Sequence, residues 1–225
     1  MKLFNKKLLI LLLLPAFMMA NNGFVKGKYT KEKSYNKEFN VNANTFIEID
    51  NRFGNVDVTS WNENKVKIDV KVTVSGNNEK KVIERLGQIN VHFSNSSEFV
   101  KALTEIEKKN WGWNNSKLSI KINYTVKVPV GNKVKLKNKY GNISLDELDG
   151  NASISCDYGS VQLGKLNGSG NMIDLDYSTA SSIDHIKDGE INADYSTINV
   201  ESSGDLVVRT DYTKTKIGSA KNVDY

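Results

Sequence analysis

The chain has 225 residues, with 31 Lys+Arg against 26 Asp+Glu and one cysteine, Cys156. That length admits one or two domains, and a single thiol excludes an internal disulfide framework. Three of the lysines sit in an N-terminal segment with the marks of a removable signal. Without them 28 basic residues face 26 acidic ones, a net +2. Nucleic-acid binding loses its electrostatic basis, because phosphate contacts need clustered Lys and Arg.

Lys2, Lys6 and Lys7 precede an unbroken apolar run from Leu8 to Leu14, Pro15 interrupts it, and Met18-Met19-Ala20 ends on a small residue. This is the pattern of a Sec-type signal peptide over 1–20, with an apolar run too short to span a bilayer. No cysteine stands directly after the run, so the usual lipid-attachment site is missing, and no later segment is apolar enough to cross a membrane. The predicted address is the periplasm or the outer cell surface, and not that of a lipoprotein.

Residues 21–37 are polar, Lys-rich and without hydrophobic periodicity, which predicts a flexible leader. Residues 38–137 read as an N-terminal β region. Apolar and polar residues alternate around Phe46-Ile47-Glu48-Ile49, across Val66 to Val74, and from Leu118 to Val128. A period of two over such lengths predicts half-buried strands. One helix near 79–89 interrupts them: Asn77-Asn78 can cap it, and Val82, Leu86 and Ile89 fall on one stripe.

Over 138–225 the chain becomes repetitive. Tyr140, Tyr158, Tyr177, Tyr195 and Tyr212 follow one another at intervals of 18, 19, 18 and 17 residues. Asp157, Asp176, Asp194 and Asp211 precede the last four, and Gly, Ser or Thr follows each tyrosine. Apolar positions keep register with the tyrosine: four before it stand Leu136, Ile154, Ile173, Ile191 and Val208. Three and five after it stand Ile143 and Leu145, Val161 and Leu163, Ala180 and Ser182, Ile198 and Val200. Such units bury no face alone, but stacked coils bury a continuous one, with aligned positions about 4.8 Å apart. The fold class expected is therefore all-β, a parallel single-stranded β-solenoid with repeats of about 18 residues. The parity of the inward positions points each tyrosine into the core with its own arm, and the step through the Gly or Ser that follows turns the corner and resets the phase.

Asn51-Arg52-Phe53-Gly54-Asn55-Val56 matches Asn138-Lys139-Tyr140-Gly141-Asn142-Ile143 type for type. Phe53 thus belongs with the tyrosines, and the first half opens the same solenoid, with 62–137 as an elaboration or cap. Asp224-Tyr225 reads as the start of a further repeat. That predicts either a truncated chain, which we favour, or an open end given to end-to-end self-association.

These boxes, the strand carrying Trp61, the Val126 to Pro129 stretch and the tyrosine repeats together resemble the adhesin-like domain family of bacterial envelope proteins, a family of unknown function. The resemblance covers roughly residues 38–225. It implies a single-stranded parallel β-solenoid outside the cytoplasm, and it carries no catalytic residues to transfer.

Four candidate features remain. Asp157, Asp174, Asp176 and Asp194 form a ladder on one outer edge. Each carboxylate either accepts backbone N–H bonds at its corner, shares a cation such as Ca²⁺ between rungs, is simply solvated, or belongs to a catalytic pair. No other cofactor is implied. The tyrosine ladder, from Phe53 to Tyr212, is either a core corner or an exposed strip for sugar stacking. Trp111 and Trp113, in an Asn-rich turn, either contact a ligand or fold back over the solenoid end. Cys156 reads as a small buried apolar residue, since nothing ties His92 or His185 to it. No nucleophile elbow, zinc-protease helix or phosphate loop is present in the sequence. The favoured function is a non-catalytic envelope module, an adhesin or scaffold with a glycan or protein ligand. The alternatives are a β-helix polysaccharide lyase or hydrolase and an accessory sensor of envelope stress.

Overall fold

The computed structural model describes residues 24–107 and 117–225. Its strands are β1 (Tyr29–Asn40), β2 (Phe46–Arg52), β3 (Val56–Trp61), β4 (Lys65–Gly76), β5 (Ile89–Asn95), β6 (Phe99–Ile106), β7 (Ser119–Pro129), β8 (Val134–Lys139), β9 (Ile143–Leu148), β10 (Ala152–Asp157), β11 (Val161–Leu166), β12 (Asn171–Asp176), β13 (Ser181–Asp194), β14 (Thr197–Asp211) and β15 (Lys214–Asp224). The helix α1 spans Glu79–Gly87, and its N-cap Asn78 accepts a hydrogen bond from Lys81 N at 3.1 Å.

The repeats form the expected parallel solenoid. Strands before each aromatic corner stack in the order β6, β2, β8, β10, β12 and then the C-terminal parts of β13 and β14. Strands after it stack as β7, β3, β9, β11, the N-terminal parts of β13 and β14, and β15. Identical positions superpose: Ile49, Leu136, Ile154, Ile173, Ile191 and Val208 pair in register and are all buried. Each row of apolar side chains thus supplies its neighbours' packing partners, so the core runs continuously along the axis.

The chain does not begin at the solenoid's end. The coil of β2 and β3 lies inside the stack, between the β8–β9 coil and the strands β6 and β7. Between β3 and β8 the chain leaves to build a cap and then returns. In that cap β4 pairs antiparallel with β7, β1 with β4, and β5 with β6, while α1 packs against β4 and β1. Tyr35 and Phe39 of β1 meet Phe93 of β5 at 6.0 and 6.5 Å between ring centroids, closing the core at this end.

Strand β1 corrects the expectation of a flexible leader over 21–37, because residues from Tyr29 onward pair along the whole of β4. The inward positions of β1 are Tyr29, Lys31, Lys33, Tyr35 and Phe39, mostly lysine and tyrosine. Their stems cover apolar surface while their polar tips reach water, so a true period of two carries little hydropathy contrast.

The corner after Tyr177 also differs from the repeat expectation. Ala180 has φ 58° and is exposed, and Ile183 pairs with Leu163. One extra residue is absorbed there in a left-handed turn, which shifts the inward positions by one. Finally, Asp224 pairs with Val207 rather than with Asp211. Asp224-Tyr225 therefore lies before the next corner position and does not open a repeat.

Candidate functional site

The most distinctive surface is the corner edge. Phe53, Tyr140, Tyr158, Tyr177, Tyr195 and Tyr212 all have positive φ, from 48° to 63°. This left-handed conformation costs an L-residue about 1–2 kcal/mol. It also swings the ring outward, which overturns the inward placement that parity predicts. Tyr140, Tyr158, Tyr177 and Tyr195 are 46–50% exposed and Tyr212 is 77% exposed. The chain resets its phase at the tyrosine itself, not at the Gly or Ser that follows.

The rings stack in one unbroken column. Successive centroids lie 5.2, 5.2, 5.0, 5.0 and 5.0 Å apart, with interplanar angles of 3–23°. Lys139 Nζ lies 5.4 Å from the Tyr140 ring and 5.6 Å from the Tyr158 ring, adding cation–π attraction. Each corner is tied to the next coil through the backbone. Tyr140, Tyr158, Tyr177 and Tyr195 donate N–H bonds of 2.9–3.0 Å to the carbonyls of Asp157, Asp176, Asp194 and Asp211.

Behind the ladder, two devices satisfy buried corner carbonyls. In the early coils a donor stands two residues before the aromatic residue. Asn51 Nδ2 donates to Ile122 O (2.9 Å), Asn138 Nδ2 to Gly54 O (2.7 Å), and Cys156 Sγ to Gly141 O (3.4 Å). In the later coils the donor is the hydroxyl directly after the tyrosine. Ser178, Ser196 and Thr213 donate to Cys156 O, Leu175 O and Ala193 O at 2.7–3.2 Å. Glycine is required in the early coils by close approach: a Cβ on Gly141 would lie 1.9 Å from Gly54 O. Cys156 is thus a buried donor in a structural row, and burial pushes its thiol up to about 11.

The aspartates line up beside the ladder, Asp157 with Asp176, then Asp194, then Asp211. Their carbonyls, not their carboxylates, accept the corner N–H bonds. Corner bonding through the side chain is therefore replaced by coil-to-coil bonding through the backbone. Lys139 Nζ is 3.6 Å from Asp157, and Asn192 Nδ2 donates to Asp174 at 3.0 Å. Partial burial, then the neighbouring carboxylates of Asp157, Asp194 and Asp174, raise the Asp176 pKa above its ordinary value. Among the described residues no three His, Cys, Asp or Glu side chains gather into a group able to hold a metal. The carboxylates are spread along the axis, one corner aspartate to a coil with Asp174 beside Asp176, whereas Ca²⁺ needs 6–8 oxygens around one point.

At its Phe53 end the ladder borders a groove of about 400 Å³. One wall is Phe53, Tyr140 and Tyr158, and the other is Leu118, Ser119 and Ile120 at the start of β7. Sequence reading misses this groove, since it joins residues more than sixty positions apart across a parallel pairing. Trp111 and Trp113 lie outside the described residues. His92 pairs with Glu105 at 2.6 Å on the cap, and His185 bonds Ser202 at 2.8 Å on the solenoid, so the two histidines serve different places. Among the described residues no helix is long and apolar enough to cross a membrane.

No protein-family model matches the chain, and no curated protein matches it. Solved structures with similarity include a putative cell adhesion protein from Clostridium sporogenes, at 11% identity and TM-score 0.32, covering 86% of this chain and 97% of that one. A putative adhesin from Bacteroides fragilis is 12% identical with TM-score 0.31, covering 85% and 96%. A putative adhesin from Parabacteroides merdae is 12% identical with TM-score 0.31, covering 89% and 98%.

Proposed function

We propose that this chain is an exported, non-catalytic, adhesin-like module of the bacterial cell envelope, and that it binds its ligand along the aromatic corner edge. The observation that carries this reading is the ladder: six stacked aromatic rings held at the surface by left-handed corners, the five tyrosines 46–77% exposed. Exposed aromatic surface in contiguous patches marks interaction sites, and here the fold holds it at the cost of backbone strain at every rung. The N-terminal signal pattern supports export. The burial of Cys156 and the separation of the histidines support binding over chemistry.

The test couples address and attachment. The full chain, expressed in a bacterial host, should be recovered outside the cytoplasm with its N-terminus trimmed near Ala20. Beads coated with the purified protein should attach to cells, and beads carrying Tyr158→Ser/Tyr177→Ser should not. Cytoplasmic retention, or equal attachment by both proteins, would overturn the reading. Release of reducing or unsaturated sugars from any polysaccharide would favour the enzymatic alternative.

A further inference from the structure

The ladder's geometry narrows the ligand class, on the basis of the binding role proposed above. Inside the column each ring face is covered by its neighbours at 5.0–5.2 Å, near parallel. Sugar stacking on ring faces, the usual use of exposed aromatics, is therefore unavailable except at the ends. What the edge offers is a straight file of ring edges and phenolic hydroxyls, repeating once per coil. Each hydroxyl both donates and accepts.

A ligand that uses every rung must repeat at the same spacing. An extended peptide advances about 3.3 Å per residue and alternates its side chains, so it falls out of register with rungs 5.0 Å apart. An extended β-linked pyranose chain advances by one ring per sugar, close to the rung spacing, and although alternate rings turn over, each carries hydroxyls on both edges and so meets its rung.

The flanks decide the charge. On one side the file runs Arg52, Lys139, Asp157, Asp176, Asp194, Asp211, basic at the groove end and acidic over the last four rungs, so a uniformly charged polymer of either sign is repelled along one stretch. On the other side the register aligns Asn142, Ser160, Ala180 and Thr197, uncharged residues of which three can donate and accept, with Lys214 after them. The groove at Phe53 adds apolar walls from Leu118 and Ile120 and a volume within the range of small-ligand sites.

We propose that the corner edge is a binding track for an extended, uncharged β-linked polysaccharide lying along the solenoid axis, one sugar to a coil, with its first rings in the groove at Phe53. Tyr158 and Tyr177 hold its middle through their hydroxyls.

The test is calorimetric titration of the full chain with β-(1→4)-linked glucose and N-acetylglucosamine oligomers of increasing length, with oligogalacturonate as the anionic counterpart. Affinity should rise with length and level off once the oligomer covers the six rungs. Tyr158→Phe/Tyr177→Phe keeps the column stacked but removes two hydroxyls, and should weaken binding about ten-fold with an unchanged circular dichroism spectrum. Equal binding of oligogalacturonate would overturn the charge reasoning, and affinity independent of length would overturn the track. Suppose no oligosaccharide binds while coated beads still attach to cells, and protease treatment of those cells abolishes attachment. The ligand would then be a protein, so the track falls and the adhesive function stands. Loss of both would remove both.

Discussion

Substitution of Tyr177 distinguishes a strained, half-exposed rung from a buried core residue. Tyr177 has φ 49°, is 50% exposed, and stacks at 5.0 Å on Tyr158 and on Tyr195. Truncating a fully buried aromatic ring costs about 3–5 kcal/mol. With half of the ring already in water, Tyr177→Ala should cost about 2 kcal/mol. Tyr177→Gly loses the same ring but also removes the left-handed strain of about 1–2 kcal/mol. The greater freedom of glycine in the unfolded chain takes back about 0.4–1 kcal/mol of that relief. Glycine should therefore be the more stable variant by roughly 0.5–1 kcal/mol, the reverse of the order in a strand interior. Urea denaturation read at constant m value resolves the difference as a shift in midpoint. Alanine more stable than glycine would refute the left-handed corner. A loss of 3–5 kcal/mol for alanine would restore the inward tyrosine that sequence parity demands.

Four further outcomes are expected. Trypsin should leave the native chain uncut at Lys31, Lys33 and Lys37, because β1 is paired to β4 along its length; rapid clipping there, followed by mass spectrometry, would return the segment to a flexible leader. The Cys156 thiol, buried and pushed up to about 11, should react with a disulfide reagent at pH 8 only when the protein is unfolded. Ser196→Ala removes the acceptor of the Ser178 N–H (2.9 Å) and the donor to Leu175 O (3.2 Å), and should lower stability by about 1–3 kcal/mol in thermal unfolding. For Asp176 the folded pKa is raised, so the folded state binds the proton more tightly. Its contribution is fully present below the ordinary carboxylate pKa and is lost as pH rises through the raised one. Asp176→Asn should therefore stabilise by a few tenths of a kcal/mol at pH 7, the interaction being largely screened, and the gain should vanish below about pH 3.8; a destabilised variant at pH 7 would mean the carboxylate has a partner.

The solenoid was legible because its signal is translational. Ile154, Ile173 and Ile191 recur at a nearly fixed interval and superpose in register, as repeats must if they are to bury a face. Alternation in Val66 to Val74 and the stripe on α1 were legible for a related reason, since apolar residues fill one face and polar ones the other. Strand β1 has the same period, but lysine and tyrosine fill its inward face, so hydropathy contrast disappears. The placement of the β2–β3 coil within the stack was not legible either, because which coil lies next to which is a property of the return path through β8, not of any local pattern.

The tyrosines were misplaced for an instructive reason. Apolar positions stand at even steps before each tyrosine and at odd steps after it, so the chain must reset its phase somewhere in the corner. Glycine is the usual residue for such a reset, since it alone has no steric cost at positive φ, and Gly141 and Gly159 stand directly after their tyrosines. The structure uses glycine for something else. Gly141 carries no positive φ and is small because a carbonyl of the preceding coil lies where its Cβ would be. Where the donor for the corner moves from Asn138 or Cys156 to a hydroxyl, Ser178 and Ser196 replace the glycine and the corner survives. The left-handed residue is the aromatic one throughout, in glycine corners and serine corners alike. The residue after the tyrosine therefore varies with the hydrogen-bonding device, while the ring and its strain persist. That separation is what assigns the aromatic file to the surface of the molecule and the Gly, Ser and Thr positions to its interior.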